Sequence, residues 1–453
     1  MNKIRVCLLN DSFPPIIDGV SNAVVNYAKI ITEKWGKAGV VTPACPGADD
    51  SVFNFPVYRY PSIDMRKKTT GYVVGIPFSP TLSTALSKHR PDILHAHCPM
   101  ISALMTRALY KRCRAPMILT YHTKYDIDIA NVVKSEALQN SSIKSLVANT
   151  SVFDEVWVVS KGAGENLRSL GYQGDYIIMP NGVDLPKERA CDSNVMRDTA
   201  GYDLPENVPV FLFVGRLMWY KGIQIILDAL KMLMEDGKDF RMVMIGSGAD
   251  EDEIYAYMNI LGLEDKVIFT GTISDREKIR SWYTRADLFL FPSTFDSNGL
   301  VVREAAACGL ASVLIKGSCA AEDVTDVRNA LLIEENAQSM YAMLLKVMDN
   351  KDYMRQTGEH ASDDLYLSWD DAVAKAVERY YIVKDNFDRG KYRAHDSFSD
   401  ALLATQGDLM YTVGQIGNAL NQDKQRRKVM LREDERGQRA IKSSRNIVRK
   451  KRK

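Results

Sequence analysis

Residues 287–304 hold the densest concentration of groups able to do chemistry. An apolar stretch, Asp287-Leu-Phe-Leu-Phe291, runs into the polar turn Pro292-Ser-Thr-Phe-Asp-Ser-Asn-Gly299, and a helix is expected from about Leu300. Asp296 and Glu304 stand eight positions apart across that loop-to-helix junction. Backbone N–H groups at a helix start attract anionic and hydroxyl oxygens. Two acids beside such a turn suit the gripping of a polar ligand.

The elements that would position this turn are legible as alternation. Ile4 to Leu9 reads as a buried strand, followed by a loop and a helix over Asn22 to Lys34, with Val24, Ala28 and Ile31 on one face. Further strands are expected at 39–42, 57–60, 93–97, 117–121, 155–159 and 175–179, with helices over 79–89 and 100–111. The pattern restarts at Val210 to Val214. Helices follow over 223–233, 278–286 and 303–308, and strands over 240–245, 267–269, 288–291 and 311–315. Strands and helices alternating through short connections predict mostly parallel sheets covered on both faces. The polar stretch 191–207, with Gly201 and Pro205, reads as the linker between two such units. The expected organisation is therefore 1–190, linker 191–207, 208–365, a helix within 366–390, and an extension over 391–453.

A length of 453 residues suits two or three domains. Apolar residues at 46% and charged residues at 26% are ordinary for a soluble globular chain. The seven cysteines are scattered and form no C-x-x-C pair, which fits a reducing compartment. Met1 to Asp11 leads into a strand without a leader-like run, and no stretch of about 18 apolar residues occurs. The net charge of +2 hides an asymmetry: residues 424–453 carry fourteen Lys or Arg against three acids, leaving the rest at −9. Such a tail can hold anionic lipid or nucleic acid by charge. No aromatics interleave its basic residues, so nucleic acid is not the expected partner. A solvated tail is the rival reading.

Seven segments taken in order resemble family 4 glycosyltransferases of the two-domain GT-B architecture. They are Asp18-Gly-Val-Ser, the strand-end His97, Tyr121-His-Thr, Pro180-Asn-Gly-Val-Asp, Gly215-Arg-Leu with Lys221-Gly, Ile245-Gly-Ser-Gly, and the Asp296-to-Glu304 segment. The resemblance covers residues 1–385. It implies an α/β fold of two Rossmann-like domains facing across a cleft. The first would bind the acceptor and the second a nucleotide sugar, with transfer that retains anomeric configuration and needs no metal cofactor. The family's first acid is usually glutamate; here it is Asp296, one methylene shorter.

The resemblance assigns residues one by one. Arg216 and Lys221 would clamp the donor diphosphate and stabilise the leaving group; alone, they would read as a surface charge pair. Glu304 would accept from the ribose hydroxyls, and Asp296 would contact the donor sugar. Their rival readings are a helix-dipole acid and a turn acid bonded to its own backbone. Asn298, Gly299 and Leu300 would offer N–H groups to the donor, Gly19 would let the first loop approach the diphosphate, and Gly246 would lie beneath the nucleotide. His122 would stand near the donor sugar and acceptor, without acting as a simple general base. Lys124, Asp126 and Asp128 would meet an acceptor hydroxyl. His95, His97 and Cys98 tempt a metal reading, but no further ligand cluster accompanies them.

The resemblance extends to bacterial diacylglycerol glucosyltransferase-like enzymes. The expectation is therefore a hexosyltransferase using UDP-glucose, acting on diacylglycerol or a glycolipid. It would lie in the cytoplasm, peripheral on the inner face of the cell membrane. The alternatives are a soluble enzyme of the same class and a non-enzymatic GT-B scaffold. The sequence leaves the oligomeric state open.

Overall fold

A computed structural model describes residues 3–16, 18–66, 73–77 and 90–392. The expected helix at 79–89 and the basic tail lie outside the described residues. Within them the chain forms two α/β lobes. The first sheet contains β1 (Ile4–Leu9), β2 (Gly36–Pro43) and β3 (Val57–Tyr60). A short antiparallel pair, β4 (Ser62–Asp64) and β5 (Val73–Gly75), stands apart. The sheet resumes with β6 (Ile93–Ala96), β7 (Met117–Tyr121), β8 (Glu155–Val158) and β9 (Ile177–Ile178). Its order is β3-β2-β1-β6-β7-β8-β9, parallel throughout.

The second sheet contains β10 (Val210–Val214), β11 (Arg241–Ile245), β12 (Val267–Gly271), β13 (Leu288–Phe291), β14 (Ser312–Ile315) and β15 (Leu331–Ile333). Its order is β12-β11-β10-β13-β14-β15, again parallel. Every residue of β10 and β13 is buried, because helices cover both faces of a doubly wound sheet. Each sheet reverses its strand order once, between β1 and β6 and between β10 and β13. Crevices open at such switch points, outside the carboxyl ends of the strands. The loops there begin at Asn10, His97, Gly215 and Pro292.

The last helix, Trp369–Asp388, returns to the first lobe. Ala372, Val373, Ala376, Val377, Tyr380 and Val383 recur at helical spacing and are buried in its core. Ser368 caps the helix through a hydrogen bond from the Asp371 N–H. Tyr380 Oη lies 2.6 Å from His95 Nδ1, and Thr120 Oγ1 lies 2.7 Å from His95 Nε2. His95 is thereby saturated as a core histidine.

The stretch 191–207 is not plain linker. It carries a helix, Asp192–Asp198, and buried Asp198 accepts from Ser281 Oγ at 2.7 Å. Its few apolar residues hid it, since the helix is held by polar contacts to Arg276–Arg285.

Candidate functional site

The acid turn folds back on itself. Asp296 Oδ1 accepts from the N–H groups of Asn298 (3.1 Å) and Gly299 (2.6 Å), and Oδ2 accepts from Lys221 Nζ at 3.0 Å. Asp296 is thus at once a turn acid and a cation partner. Burial works against its charge, but Lys221 and the two N–H groups outweigh burial and hold the carboxyl below its usual range. Gly299 takes φ +59 and precedes the helix Leu300–Ala307, and Ala320 would stand 3.0 Å from a Cβ there. Asn298 is buried, and neither of its side-chain polar atoms has a partner among the described residues. Buried polar groups ordinarily find one.

Glu304 projects from that helix. Its Oε1 accepts from Arg276 Nη2 at 2.6 Å and its Oε2 from Tyr283 Oη at 3.1 Å. The two donors fix the carboxylate while leaving lone pairs free, as a carboxylate has about four acceptor positions.

Glycines bring the neighbouring loops together. A Cβ on Gly246 would stand 1.9 Å from the Gly215 carbonyl oxygen, and one on Gly248 would stand 2.1 Å from that of Leu217. The loops after β10 and β11 are laced by Gly215 N–H to Ile245 O (3.0 Å) and Leu217 N–H to Ser247 O (3.1 Å). Lys221 lies over the Phe291 ring at 5.5 Å. Arg216 is exposed, packs against Tyr220 and pairs with no carboxylate among the described residues.

The first lobe supplies the facing wall. Gly19 opens the helix Gly19–Ile30, capped by Asp18, whose Oδ1 accepts from the N–H groups of Val20 and Ser21. Nothing lies within 4 Å of where a Gly19 Cβ would stand. His122 is buried just past β7. Its Nε2 lies 3.0 Å from His97 Nδ1, and its Nδ1 lies 3.4 Å from Asn181 Nδ2. Burial pushes the imidazole down to about 3, so it is neutral at pH 7. Lys124 Nζ donates to the Thr294 carbonyl at 3.2 Å. Asp126 accepts from Asn166 Nδ2 at 3.1 Å. The side chain of Asp128 lies outside the described residues.

The acid turn itself joins the lobes. Ser297 Oγ donates to the His122 carbonyl (2.9 Å), and Ser160 Oγ donates to the Ser297 carbonyl (2.5 Å). Glu322 accepts from the N–H groups of Lys161 (2.6 Å) and Gly162 (2.5 Å), at the start of the first-lobe helix Lys161–Ser169. Sequence reasoning passed over Ser160, Arg276, Tyr283, Ser297 and Glu322, because their partners are remote in sequence. Among the described residues, no three His, Cys, Asp or Glu side chains gather as a metal cluster would require.

Each lobe matches a family model. A model described as Glycosyltransferase Family 4 matches residues 17–187, and one described as Glycosyl transferases group 1 matches residues 197–364. Fold and site together define a nucleotide-sugar glycosyltransferase with the GT-B architecture, related to both families.

Among characterised relatives, the alpha-monoglucosyldiacylglycerol synthase of Streptococcus pneumoniae is 22% identical, over 85% of this chain and 88% of its own. The synthase of the same name from Acholeplasma laidlawii is also 22% identical, over 84% and 97%. Among solved structures, Anabaena HepE in complex with UDP superposes with a TM-score of 0.68 at 18% identity, covering 84% of this chain and 100% of HepE. HepE in complex with UDP-glucose gives 0.61 at 17% identity, covering 85% and 99%.

Proposed function

We propose that this enzyme moves glucose from UDP-glucose to a lipid acceptor such as diacylglycerol, with retention at the anomeric carbon. The observation that carries the reading is the Lys221–Asp296 pair at the switch point of the second sheet, with unpaired Arg216 on the same loop. A diphosphate there meets the guanidinium of Arg216, which pairs with no carboxylate among the described residues, and the ammonium of Lys221, which Asp296 holds in place. As the glycosidic bond to the diphosphate breaks, negative charge grows on its oxygens, and fixed cations stabilise that charge most. Asp296 holds Lys221 in place and faces the sugar. Glu304, steadied by Arg276 and Tyr283, takes the ribose hydroxyls. The N–H groups of Asn298 and Gly299 are taken by Asp296, so the Leu300 N–H, the Asn298 side chain and the open space at Gly19 serve the donor, and Gly246 keeps the nucleotide floor flat.

The resemblance to retaining family 4 glycosyltransferases implies attack from the face the diphosphate leaves, without a covalent intermediate on the enzyme. The departing diphosphate takes the acceptor proton, and the acceptor oxygen forms the new bond. His122 is neutral and acts by hydrogen bonding. Its 3.4 Å contact to Asn181 is the one a sugar hydroxyl can replace. Lys124 and Asp126 stand where an acceptor hydroxyl would enter.

The choice of UDP-glucose draws on HepE and on the two glucolipid synthases. The choice of a lipid draws on those synthases and on the basic tail, which supports peripheral attachment to the cytoplasmic face. Among the described residues no helix is long and apolar enough to cross a membrane. The test is a transfer assay across nucleotide sugars with diacylglycerol in mixed micelles and with soluble sugars. Glucosyl-diacylglycerol as the main product supports the proposal. Transfer to a soluble sugar alone replaces the acceptor. Absence of transfer and of donor hydrolysis with every nucleotide sugar removes the proposal.

A further inference from the structure

A second concave site lies at the opposite end of the first sheet. The cleft opens at the carboxyl ends of the strands; this cavity, of about 510 Å³, opens at the amino ends of β1, β6 and β7. Its size is within the range of small-ligand sites. Arg5 begins the wall, Arg90 and Asp92 lead into β6, Arg114 leads into β7, and Lys384 and Asp388 come from the last helix.

Four of these groups are cations and two are carboxylates. Arg5 is locked to Asp92 by Nε and Nη2, each at 2.9 Å, and Lys384 pairs with Asp388 at 2.8 Å. That leaves Arg90 and Arg114. Both are exposed, and neither guanidinium has a hydrogen-bond or ion-pair partner among the described residues. The wall therefore carries two uncompensated guanidiniums facing one hollow.

Backbone geometry singles out the same two residues. Only four described non-glycine residues have positive φ, and two of them are Arg90 (φ 40) and Arg114 (φ 47). Arg114 ends the helix Ile101–Cys113 in the left-handed conformation, where glycine or asparagine is the usual occupant. An L side chain there crowds its own carbonyl. Strain that persists at a wall of charged side chains points to a ligand.

We propose that this cavity binds a phosphate-bearing anion, remote from the transfer site, with Arg90 and Arg114 as the gripping pair. A planar guanidinium meets two phosphate oxygens at once, and two such forks close on one group from both sides. Arg5 and Lys384, each neutralised by its own acid, flank it. A less polar hollow adjoins it, sharing Arg5 and Pro91 and lined by Val6, Ala38 and Pro56. A soluble phosphate ester and a phospholipid head group present the same chemistry here.

The test uses the full chain saturated with UDP, so that the transfer site is filled. Inorganic pyrophosphate is titrated by calorimetry into the wild type and into the double variant Arg90→Gly/Arg114→Gly. Glycine suits both backbone conformations, so the variant is expected to melt no lower than the wild type and to keep its basal transfer rate. The wild type is expected to show one binding event that the variant weakens by about tenfold or more, as expected for loss of charge-assisted contacts. No event in the UDP-saturated wild type, or equal affinity in the variant, overturns the proposal. Partition onto phosphatidic acid vesicles, against phosphatidylcholine vesicles, then separates the sources. A loss in the variant parallel to the loss of pyrophosphate binding assigns a lipid head group; unchanged partition assigns a soluble phosphate compound.

Discussion

Lys221 and Asp296 are 75 positions apart in sequence and 3.0 Å apart in space. The pair is held by two loops that leave adjacent strands at the switch point of the second sheet. Each member limits the other: the carboxylate fixes where the ammonium sits, and the ammonium keeps the carboxylate ionised. In Lys221→Ala, transfer from UDP-glucose is expected to fall by roughly 100- to 1,000-fold in kcat, the range for removing one fixed stabiliser of developing charge. Asp296→Asn should cost less, because Lys221 remains. Steady-state kinetics of both variants check this, and a kcat within about twofold of wild type for Lys221→Ala would remove the leaving-group role.

Three buried histidines among the described residues, His95, His97 and His122, oppose acid conditions. Burial pushes His122 from 6.5 down to about 3, and burial together with neighbouring imidazoles pushes His95 and His97 well down. The unfolded chain takes up these protons near pH 6.5, but the folded chain does not. Stability is therefore fully present above about pH 6.5 and is lost as pH falls below it. Each histidine contributes about 1.4 kcal/mol per pH unit in that window. Urea midpoints measured from pH 8 to pH 5 should fall steeply below 6.5, and His122→Gln should make the fall shallower. A midpoint that stays level down to pH 5 would contradict the buried, neutral state.

The strands were the most legible part of the fold. The apolar runs at Met117 to Tyr121, Val210 to Val214 and Leu288 to Phe291 gave their boundaries directly, because a strand buried on both faces has no polar alternation to blur it. Helices Glu136–Thr150 and Lys351–Leu365 escaped: the first buries only Leu146, Asn149 and Thr150, and the second buries a stripe whose middle members, Thr357, Gly358 and Ala361, are small and weakly apolar. The acid turn was legible from residue type and order. Its second layer was not: Arg276 reaches Glu304, Glu322 reaches the Lys161 amide, and Ser160 reaches Ser297 only after the lobes have packed. No local pattern announces a contact made by tertiary structure.

Glu322 ties the second lobe to the first. Its two oxygens take the N–H groups of Lys161 and Gly162, where the partial positive charge of a helix start favours a carboxylate. Glu322→Ala leaves those donors to water and removes one of the ties between lobes. The radius of gyration from small-angle scattering is expected to rise, and the KM for the donor to increase several-fold, while kcat changes less. Glu322→Gln, which keeps one acceptor oxygen, should lie between. An unchanged radius of gyration together with an unchanged KM would mean that the remaining contacts hold the lobes alone.

Gly222 offers a separation of strain from catalysis. It takes φ +76, and a Cβ there would stand 2.1 Å from the Pro292 carbonyl oxygen. That oxygen belongs to backbone, so the loop carrying Lys221 must move away from the acid turn. In Gly222→Ala the Lys221–Asp296 pair is pushed apart without either side chain being altered. Gly237 is the control: its φ is +71, and nothing lies within 4 Å of a Cβ there. Alanine at either position bears the left-handed backbone cost of about 1–2 kcal/mol. Only the change at position 222 also displaces the clamp. Both variants are expected to melt lower. Gly222→Ala alone should lose kcat, by about 100-fold if the pair is shifted by about 1 Å. If Gly237→Ala loses kcat equally, the loss reflects instability rather than geometry, and the clamp reading fails for this loop.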